Sequence, residues 1–558
     1  VLLFGILLVI LYRLLVVLFF RDRRLIAFMI VLFYAVHPMH TEVVANIKSR
    51  DELLQFLFAS LMLLNYILWF RKKNLIHLLL VFVFFAGAFL SKENSVAMLG
   101  VMAGSIILFE KTTWVRKAVG LIPLLLSGIA AILILRYTLT TEVGQEETEG
   151  WGVFFEDQIL GNCFAELWWF TDFVSNGLFL IDRYLYQYIW PADLVYYSGY
   201  DQIPVYIGFH WITIVGWITV LGLLVGAFLL YRKLPAASFG IMFFLITLSP
   251  FLQIVNRMPD TMADRFMFAP TFGLSMVVIT ILHILIKRYI PQMKQKRIFV
   301  VAAILLSLPY SARTYHRNKA WQNAFTLFST DMPKLENCAR AHKYMAGELF
   351  TKYENTGDRK YLDATIEHLE RSIEISPRMY HAQIELGYNY GQWGNPGRGI
   401  EILENAVKEF PESMDPHFYL GNVYFENGDF DLAKNQFKQC VQLTPRILDP
   451  YFLLANAHLE LAEFDSAMMP ANWGIEMWPN DTRFRDVKAN VFLQVNEPDS
   501  AILQVGQMLM IQPENPDFWK KLIGYYTVLG RYEEAQITYQ DAIERGVLKE
   551  GELGPQNP

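Results

Sequence analysis

Cysteine is scarce: Cys163, Cys338 and Cys440 are the three in 558 residues. They are too few and too scattered for a disulfide framework or a metal cluster, and read as packing residues. No basic cluster interleaved with aromatics occurs, and a formal charge of -6 leaves no footprint for nucleic acid. The chain has no glycine-rich phosphate loop, no nucleophile elbow and no dinucleotide fingerprint, so soluble nucleotide or hydrolase chemistry has no support. Val1 stands inside an apolar run with neither an initiator Met nor a charged leader region, so the chain is expected to be a piece of a longer one rather than to begin with a signal peptide.

Apolar residues, by contrast, are abundant. At 54% hydrophobic and 15% aromatic the chain is too apolar for an ordinary soluble protein. The excess lies in residues 1–312, whereas 313–558 has the mixed charge of a soluble helical domain. Candidate spans of roughly bilayer length fall at 1–20, 25–37, 53–70, 75–91, 95–110, 118–136, 208–231, 237–256, 266–286 and 298–312. Cationic clusters occupy every second loop: Arg21/Arg23/Arg24, Arg71/Lys72/Lys73, Arg116/Lys117, Arg232/Lys233, and Lys287/Arg288 with Lys294/Lys296/Arg297. The positive-inside rule puts these in the cytoplasm. The opposite loops, His37–Glu52, Ser91–Asn94, 137–207 and Asn256–Arg265, then share the outer side with the soluble half. That parity requires 153–190, aromatic and part-polar, to cross twice or not at all, which suits interfacial or re-entrant helices.

In the second half, Pro377, Pro411, Pro445, Pro479 and Pro513 recur every 34 residues, the tetratricopeptide (TPR) period. Ala433, Ala467, Ala501 and Ala535 keep that period, with Gly399 in the preceding repeat, and Leu386-Gly387-x-x-Tyr390 is matched by Leu420-Gly421-x-x-Tyr424. Small residues let paired helices approach, and each proline ends a pair. Five regular repeats are expected over about 380–549 and a less regular one over 338–379. The fold class predicted is all-α: a polytopic transmembrane helical domain followed by a TPR α-solenoid, whose concave face would bind acceptor polypeptide or a partner protein.

Chemistry-bearing residues cluster in the outer loops. His37, His40 and Glu42 form a weak zinc pattern without a fourth ligand, so no metal is expected, a divalent ion lacking support; hydrogen-bonding or phosphate-facing roles are preferred. Ser49-x-x-Glu52 reads as a capping box at a helix start, which leaves Arg50 and Asp51 unexplained. Lys92 and Glu93 either neutralise each other or leave Lys92 to bind an anionic lipid phosphate. Arg265 could clamp a phosphate with Asp264 orienting it, or anchor a helix by snorkelling. Arg183 and Tyr197 lie in an amphipathic helix and aromatic turn over 182–200 of the kind that sugar clefts use for stacking and membrane interfaces use for anchoring.

These motifs resemble, in order, those of the transmembrane and TPR repeat-containing O-mannosyltransferase family. His37-Pro38 with Glu42 and Arg50-Asp51 resembles its second outer loop, and Leu90-Ser91-Lys92-Glu93 its Leu-Ser-Lys-Glu element. Trp190-Pro191 through Tyr197-Ser198 resembles its aromatic turn. Asp264-Arg265 with Pro270 and Gly273 is similar to its Glu-Arg element, and Arg313-Thr314, Arg317-Asn318 and Trp321 to its bridge into the repeats. Asp264, Phe268 and Thr271 replace the family's Glu, Tyr and Ser.

The resemblance implies a glycosyltransferase of the GT-C class over 1–312, a helical bridge over 313–337, about six repeats over 338–549 and a polar tail over 550–558. It further implies transfer of mannose or another hexose from a polyprenyl-phosphate carrier to Ser or Thr of secreted or envelope proteins, on the periplasmic or luminal side. The donor phosphate would meet Lys92, Arg265 and Arg50. The catalytic base would be an acid of the first outer loop, upstream of Val1, with Glu42, Asp51 and Asp264 in support. The alternative is a non-catalytic membrane-anchored TPR scaffold; a transporter fits less well, since charges gather at span ends rather than at mid-membrane.

Overall fold

The structure is a computed structural model describing residues 1–140, 164, 167, 169–198, 202–208, 210–254, 261–377, 379–392 and 394–552. Cys163, Glu156, Asp157, Glu166, Arg257 and most of 153–169 therefore lie outside the described residues, and with them the crossing parity of 153–190.

Every one of the ten apolar segments is helical. They correspond to α1 (Leu2–Leu18), α2 (Arg24–Ala35), α4 (Arg50–Lys72), α5 (Leu75–Ser91), α6 (Ala97–Gly104, with flanking tighter and wider turns), α7 (Trp114–Thr140), α9 (Trp211–Leu230), α10 (Pro235–Leu248), α11 (Pro270–Tyr289) and α12 (Gln292–Ala320). A short α3 (Thr41–Ala45) follows α2, and α8 (Phe170–Ile189) is the amphipathic helix. Among the described residues six helices are long and apolar enough to cross a membrane, or seven if the pair Arg24–Ala35 and Pro38–Ala45, bent by 60°, is one span. Leu2–Leu18, Leu75–Ser91 and Glu93–Phe109 are apolar but shorter.

The apolar helices are not equally enclosed. The most apolar stretches of α4, α10 and α11 are mostly buried, while α9 and α12 are largely exposed and α7 is little better covered. Leu125, Ile132, Ile218, Phe228 and Leu305 are each at least 60% exposed. At the crossing of α10 and α11, Gly240 and Gly273 face one another, and a Cβ on either would strike the other's carbonyl oxygen. That close approach explains Gly273 and fixes the helix that begins next to Arg265. Cationic residues of one end are tied to the bundle: Arg71 pairs with Glu110 at 2.7 Å and donates to the Val17 carbonyl, Arg116 donates to that of Phe70, and Lys117 to that of Ile107.

Downstream come α13 (Ala324–Asp331) and the hairpin α14 (Ala339–Thr356) with α15 (Arg359–Ile375). Contacts divide the chain into Val1–Met379 and Tyr380–Pro558. By these contacts the irregular first repeat groups with the apolar helices. The cause is a shared apolar cluster in which Tyr196 and Tyr197 pack with Ala320, Leu327, Leu335, Cys338 and Ala341.

The second unit holds five helix pairs: α16 (Tyr380–Gln392) with α17 (Pro396–Glu409), α18 (Met414–Asn427) with α19 (Phe430–Leu443), α20 (Leu448–Glu460) with α21 (Phe464–Met477), α22 (Arg483–Gln494) with α23 (Pro498–Ile511), and α24 (Pro516–Val528) with α25 (Tyr532–Glu544). Pro411, Pro445, Pro479 and Pro513 each stand two residues beyond a second helix. Ala433, Ala467, Ala501 and Ala535 are fully buried, and a Cβ on Gly421 would strike Phe437. Cys338 and Cys440 are both buried. Among the described residues there is no β-strand, only an isolated bridge between Ser198 and Met262.

Candidate functional site

Five segments far apart in sequence meet at one end of the first unit. Antiparallel packing of α4 on α5 brings the start of the first to the end of the second. Lys92, just past α5, donates to Glu52 at 2.6 Å and to Asp51 at 3.2 Å. Ser49 does stand at the helix cap but makes no side-chain cap bond. The expected capping box is thus replaced by an ion pair: Glu52, buried, gains more from an ammonium than from a backbone amide. Burial alone would lower the pKa of Lys92, but the adjoining Glu52 and Asp51 outweigh it and raise it, so the side chain stays an ammonium.

Arg265, in a short 3-10 turn over Asp264–Met267, is held by Glu42. One carboxylate oxygen accepts from its guanidinium at 2.6 Å and the other from its backbone amide at 3.0 Å. Asp264 is buried; burial first, then the charge of Glu42, pushes its carboxyl well above the usual aspartate range.

Lys92, Arg265, Glu42, Asp51 and Tyr197 all line one cavity of about 680 Å³. Lys48 and Arg340 line it too, giving four cations against two carboxylates and a positive interior. Neither had been singled out from the sequence. Lys48 lay inside the motif-bearing loop, while Arg340 comes from α14 and stands over the Tyr197 ring at 5.1 Å.

The remaining expected residues lie elsewhere. Arg50 is exposed and donates to the Ile47 carbonyl at 2.9 Å, outside the cavity lining. His37 and His40 are buried behind it: His37 stacks on Tyr188 at 4.6 Å and bonds its carbonyl oxygen, and His40 bonds the Thr271 hydroxyl at 2.7 Å. Their role is hydrogen bonding in the core; neither faces the cavity. Glu93 is exposed and off the lining, and Arg183 borders a separate cavity of about 200 Å³ with Asp193 and Lys334. Among the described residues no group of three or more His, Cys, Asp or Glu is arranged to hold a metal.

The turn carrying Tyr196 and Tyr197 is fastened by Asp331, which accepts the Tyr196 amide at 2.8 Å and pairs with Arg317. Arg317 and Trp321 belong to the bridge motif, whose local job is therefore to hold the cavity's aromatic wall.

A tetratricopeptide repeat model matches residues 415–447. No curated protein sequence matches the chain. Solved structures similar to it include MamA, at 20% identity and a TM-score of 0.27, covering 29% of this chain and 93% of that one. TTC0263, a thermophilic TPR protein of Thermus thermophilus, is 22% identical with a TM-score of 0.25, covering 30% and 90%. YrrB, described as a TPR protein with an unusual peptide-binding site, is 16% identical with a TM-score of 0.28, covering 33% and 92%. The family model places a TPR repeat in this chain, and the described residues form helices without a β-strand.

Proposed function

We propose that this chain is an integral membrane glycosyltransferase that moves a hexose from a polyprenyl-phosphate carrier to Ser or Thr hydroxyls of exported polypeptides. The observation that carries the reading is the convergence of Lys92 and Arg265, from distant loops, on one positively lined cavity at the end of an apolar helix bundle.

Surface chemistry supports a bilayer setting. The exposed apolar faces of α7, α9 and α12 far exceed what a soluble protein leaves to water. With 23 residues, α4 is about 34 Å long, close to a hydrocarbon core, and separates the cavity from the Arg71 end. That distribution agrees with a cytoplasmic Arg71 end and a cavity on the periplasmic or luminal side.

In the proposed reaction the acceptor hydroxyl oxygen bonds to the anomeric carbon as the carbon–oxygen bond to phosphate breaks. The departing electron pair settles on the phosphate, where the Lys92 and Arg265 cations, already fixed by carboxylates, stabilise it without reorganising. Glu42 and Glu52 are buried under those cations and act as their holders. The hydroxyl proton passes to a carboxylate: the family resemblance assigns an acid of the first outer loop, and among the described candidates Asp51 is the most open, its side chain 41% exposed. The repeats supply the surface on which TPR arrays take protein partners. A membrane-anchored scaffold remains the second reading, favoured by the repeats alone.

The test is deletion of the gene in its native host, with O-linked sugars on secreted and envelope proteins compared by mass spectrometry. Loss of a hexose from defined Ser or Thr sites, restored by wild type and not by Lys92→Ala, is expected; an unchanged glycan profile with missing protein complexes would establish the scaffold.

A further inference from the structure

The cavity has two unlike halves. One is cationic, with Lys48, Lys92 and Arg265. The other is aromatic and comes from the turn before α9, the bridge and the first repeat hairpin: Tyr196, Trp321, Phe328 and Tyr344. Tyr196 and Phe328 lie 4.6 Å apart, Phe328 and Tyr344 are stacked at 5.8 Å, and Arg340 covers the neighbouring Tyr197.

Two polar atoms in this wall are buried without a hydrogen-bond partner: the hydroxyl of Tyr196, a residue only 9% exposed, and the indole N–H of Trp321. A buried donor left unpaired costs about 1–3 kcal/mol, and a fold seldom keeps two in one wall unless something else supplies the acceptors. Flat apolar rings interrupted by unpaired donors suit a ligand with an apolar face and oxygen atoms around its rim. A pyranose ring has that form, with C–H groups on one face and hydroxyls at its edge.

We infer that the wall of Tyr196, Trp321, Phe328 and Tyr344 is the hexopyranose subsite of the cavity, so that the first repeat hairpin completes the sugar-binding site instead of serving only to bind protein. This rests on the transferase reading. Phosphate sits on the cationic half and the sugar across from it, with the Tyr196 hydroxyl and the Trp321 N–H donating to its oxygens. Hexose could reach this wall on the carrier or on an already glycosylated acceptor, and the chemistry of recognition is the same.

The experiment uses the full chain in lipid nanodiscs and three probes, a short-chain polyprenyl phosphate, the same phosphate bearing hexose, and methyl hexopyranoside, with affinities read by calorimetry. Tyr196→Phe and Trp321→Phe each remove one unpaired donor while keeping a ring, so loss of a buried unpaired donor should not lower the unfolding midpoint of the ligand-free protein. Each is expected to weaken the hexose-bearing phosphate about tenfold, the value of one hydrogen bond, and to leave the sugar-free phosphate unchanged. Weakening confined to methyl hexopyranoside would support the subsite and give its source as the acceptor's glycan. Unchanged affinity for every probe in both variants would overturn the inference while leaving the transferase reading standing. Failure of the wild type to bind either polyprenyl phosphate would remove that reading, and the inference with it.

Discussion

Glu42 holds Arg265 at two points, guanidinium and backbone amide, across 223 residues of sequence. The pair pins the start of α11 to the loop after α2, and it leaves the face of Arg265 turned into the cavity. A carboxylate with both oxygens so engaged is a holder, and its loss should register in the position of the cation it holds.

Glu42→Gln is therefore expected to lower transfer about tenfold, and Arg265→Ala about a hundredfold, since a charge-assisted hydrogen bond contributes about 1.5–3 kcal/mol. Initial rates with a lipid-linked hexose donor and a Ser-containing peptide measure both. Arg265→Lys should recover little, because an ammonium cannot reproduce a forked contact.

The structural part of Lys92 can be separated from the functional part proposed for it. Lys92→Met leaves buried Glu52 without its cation, and unfolding should become easier by about 1–3 kcal/mol. Adding Glu52→Gln should return the midpoint toward wild type without restoring transfer. Thermal unfolding beside activity decides it; recovery of both would reduce Lys92 to a packing element.

Asp264 gives the stability a pH dependence. Its carboxyl titrates well above the ordinary aspartate range, chiefly through burial and then through the charge of Glu42. The folded state thus binds this proton more tightly than the unfolded chain. Its stabilising contribution is complete below the unfolded pKa and is lost as pH rises through the folded one. Asp264→Asn, which cannot ionise, should track wild type in acid and gain on it progressively at higher pH; unfolding midpoints across a pH series test this.

The Gly240–Gly273 contact predicts that Gly273→Ala forces α10 and α11 apart. The expected cost is about 1–3 kcal/mol, the usual penalty for overpacking, with a fall in transfer because Arg265 lies at the foot of α11. Gly222→Ala, where a Cβ meets nothing, is the control and should leave both unchanged.

What was legible in the sequence depended on distance along the chain. Prolines at 34-residue spacing gave every helix pair after 380, because a repeat's period is written locally. Apolar runs gave ten helices for the same reason. Lys92, Arg265, Glu42, Asp51 and Tyr197 could be nominated because charges and aromatics between apolar runs stand out. Their pairing could not: Lys92 with Glu52 spans 40 residues and needs the α4–α5 hairpin, so a local capping box was the nearest reading of Ser49 and Glu52. In sequence Arg340 resembles any helix cation, and its place at the cavity depends on its long-range contact with the Tyr197 ring. For His37 and His40 the sequence left hydrogen-bonding and phosphate-facing roles open, and their partners, Tyr188 and Thr271, lie 151 and 231 residues away.

The central claim is transfer at the Lys92–Arg265 cavity. The most direct measurement incubates purified full-length protein in proteoliposomes with a polyprenyl-phosphate hexose labelled in the sugar and a Ser/Thr-rich polypeptide, and follows label entering the polypeptide. Steady incorporation at hydroxyl side chains by wild type, abolished in the Lys92→Ala/Arg265→Ala double variant that still binds the polypeptide, is the predicted result. Incorporation by the double variant at the wild-type rate would contradict the account.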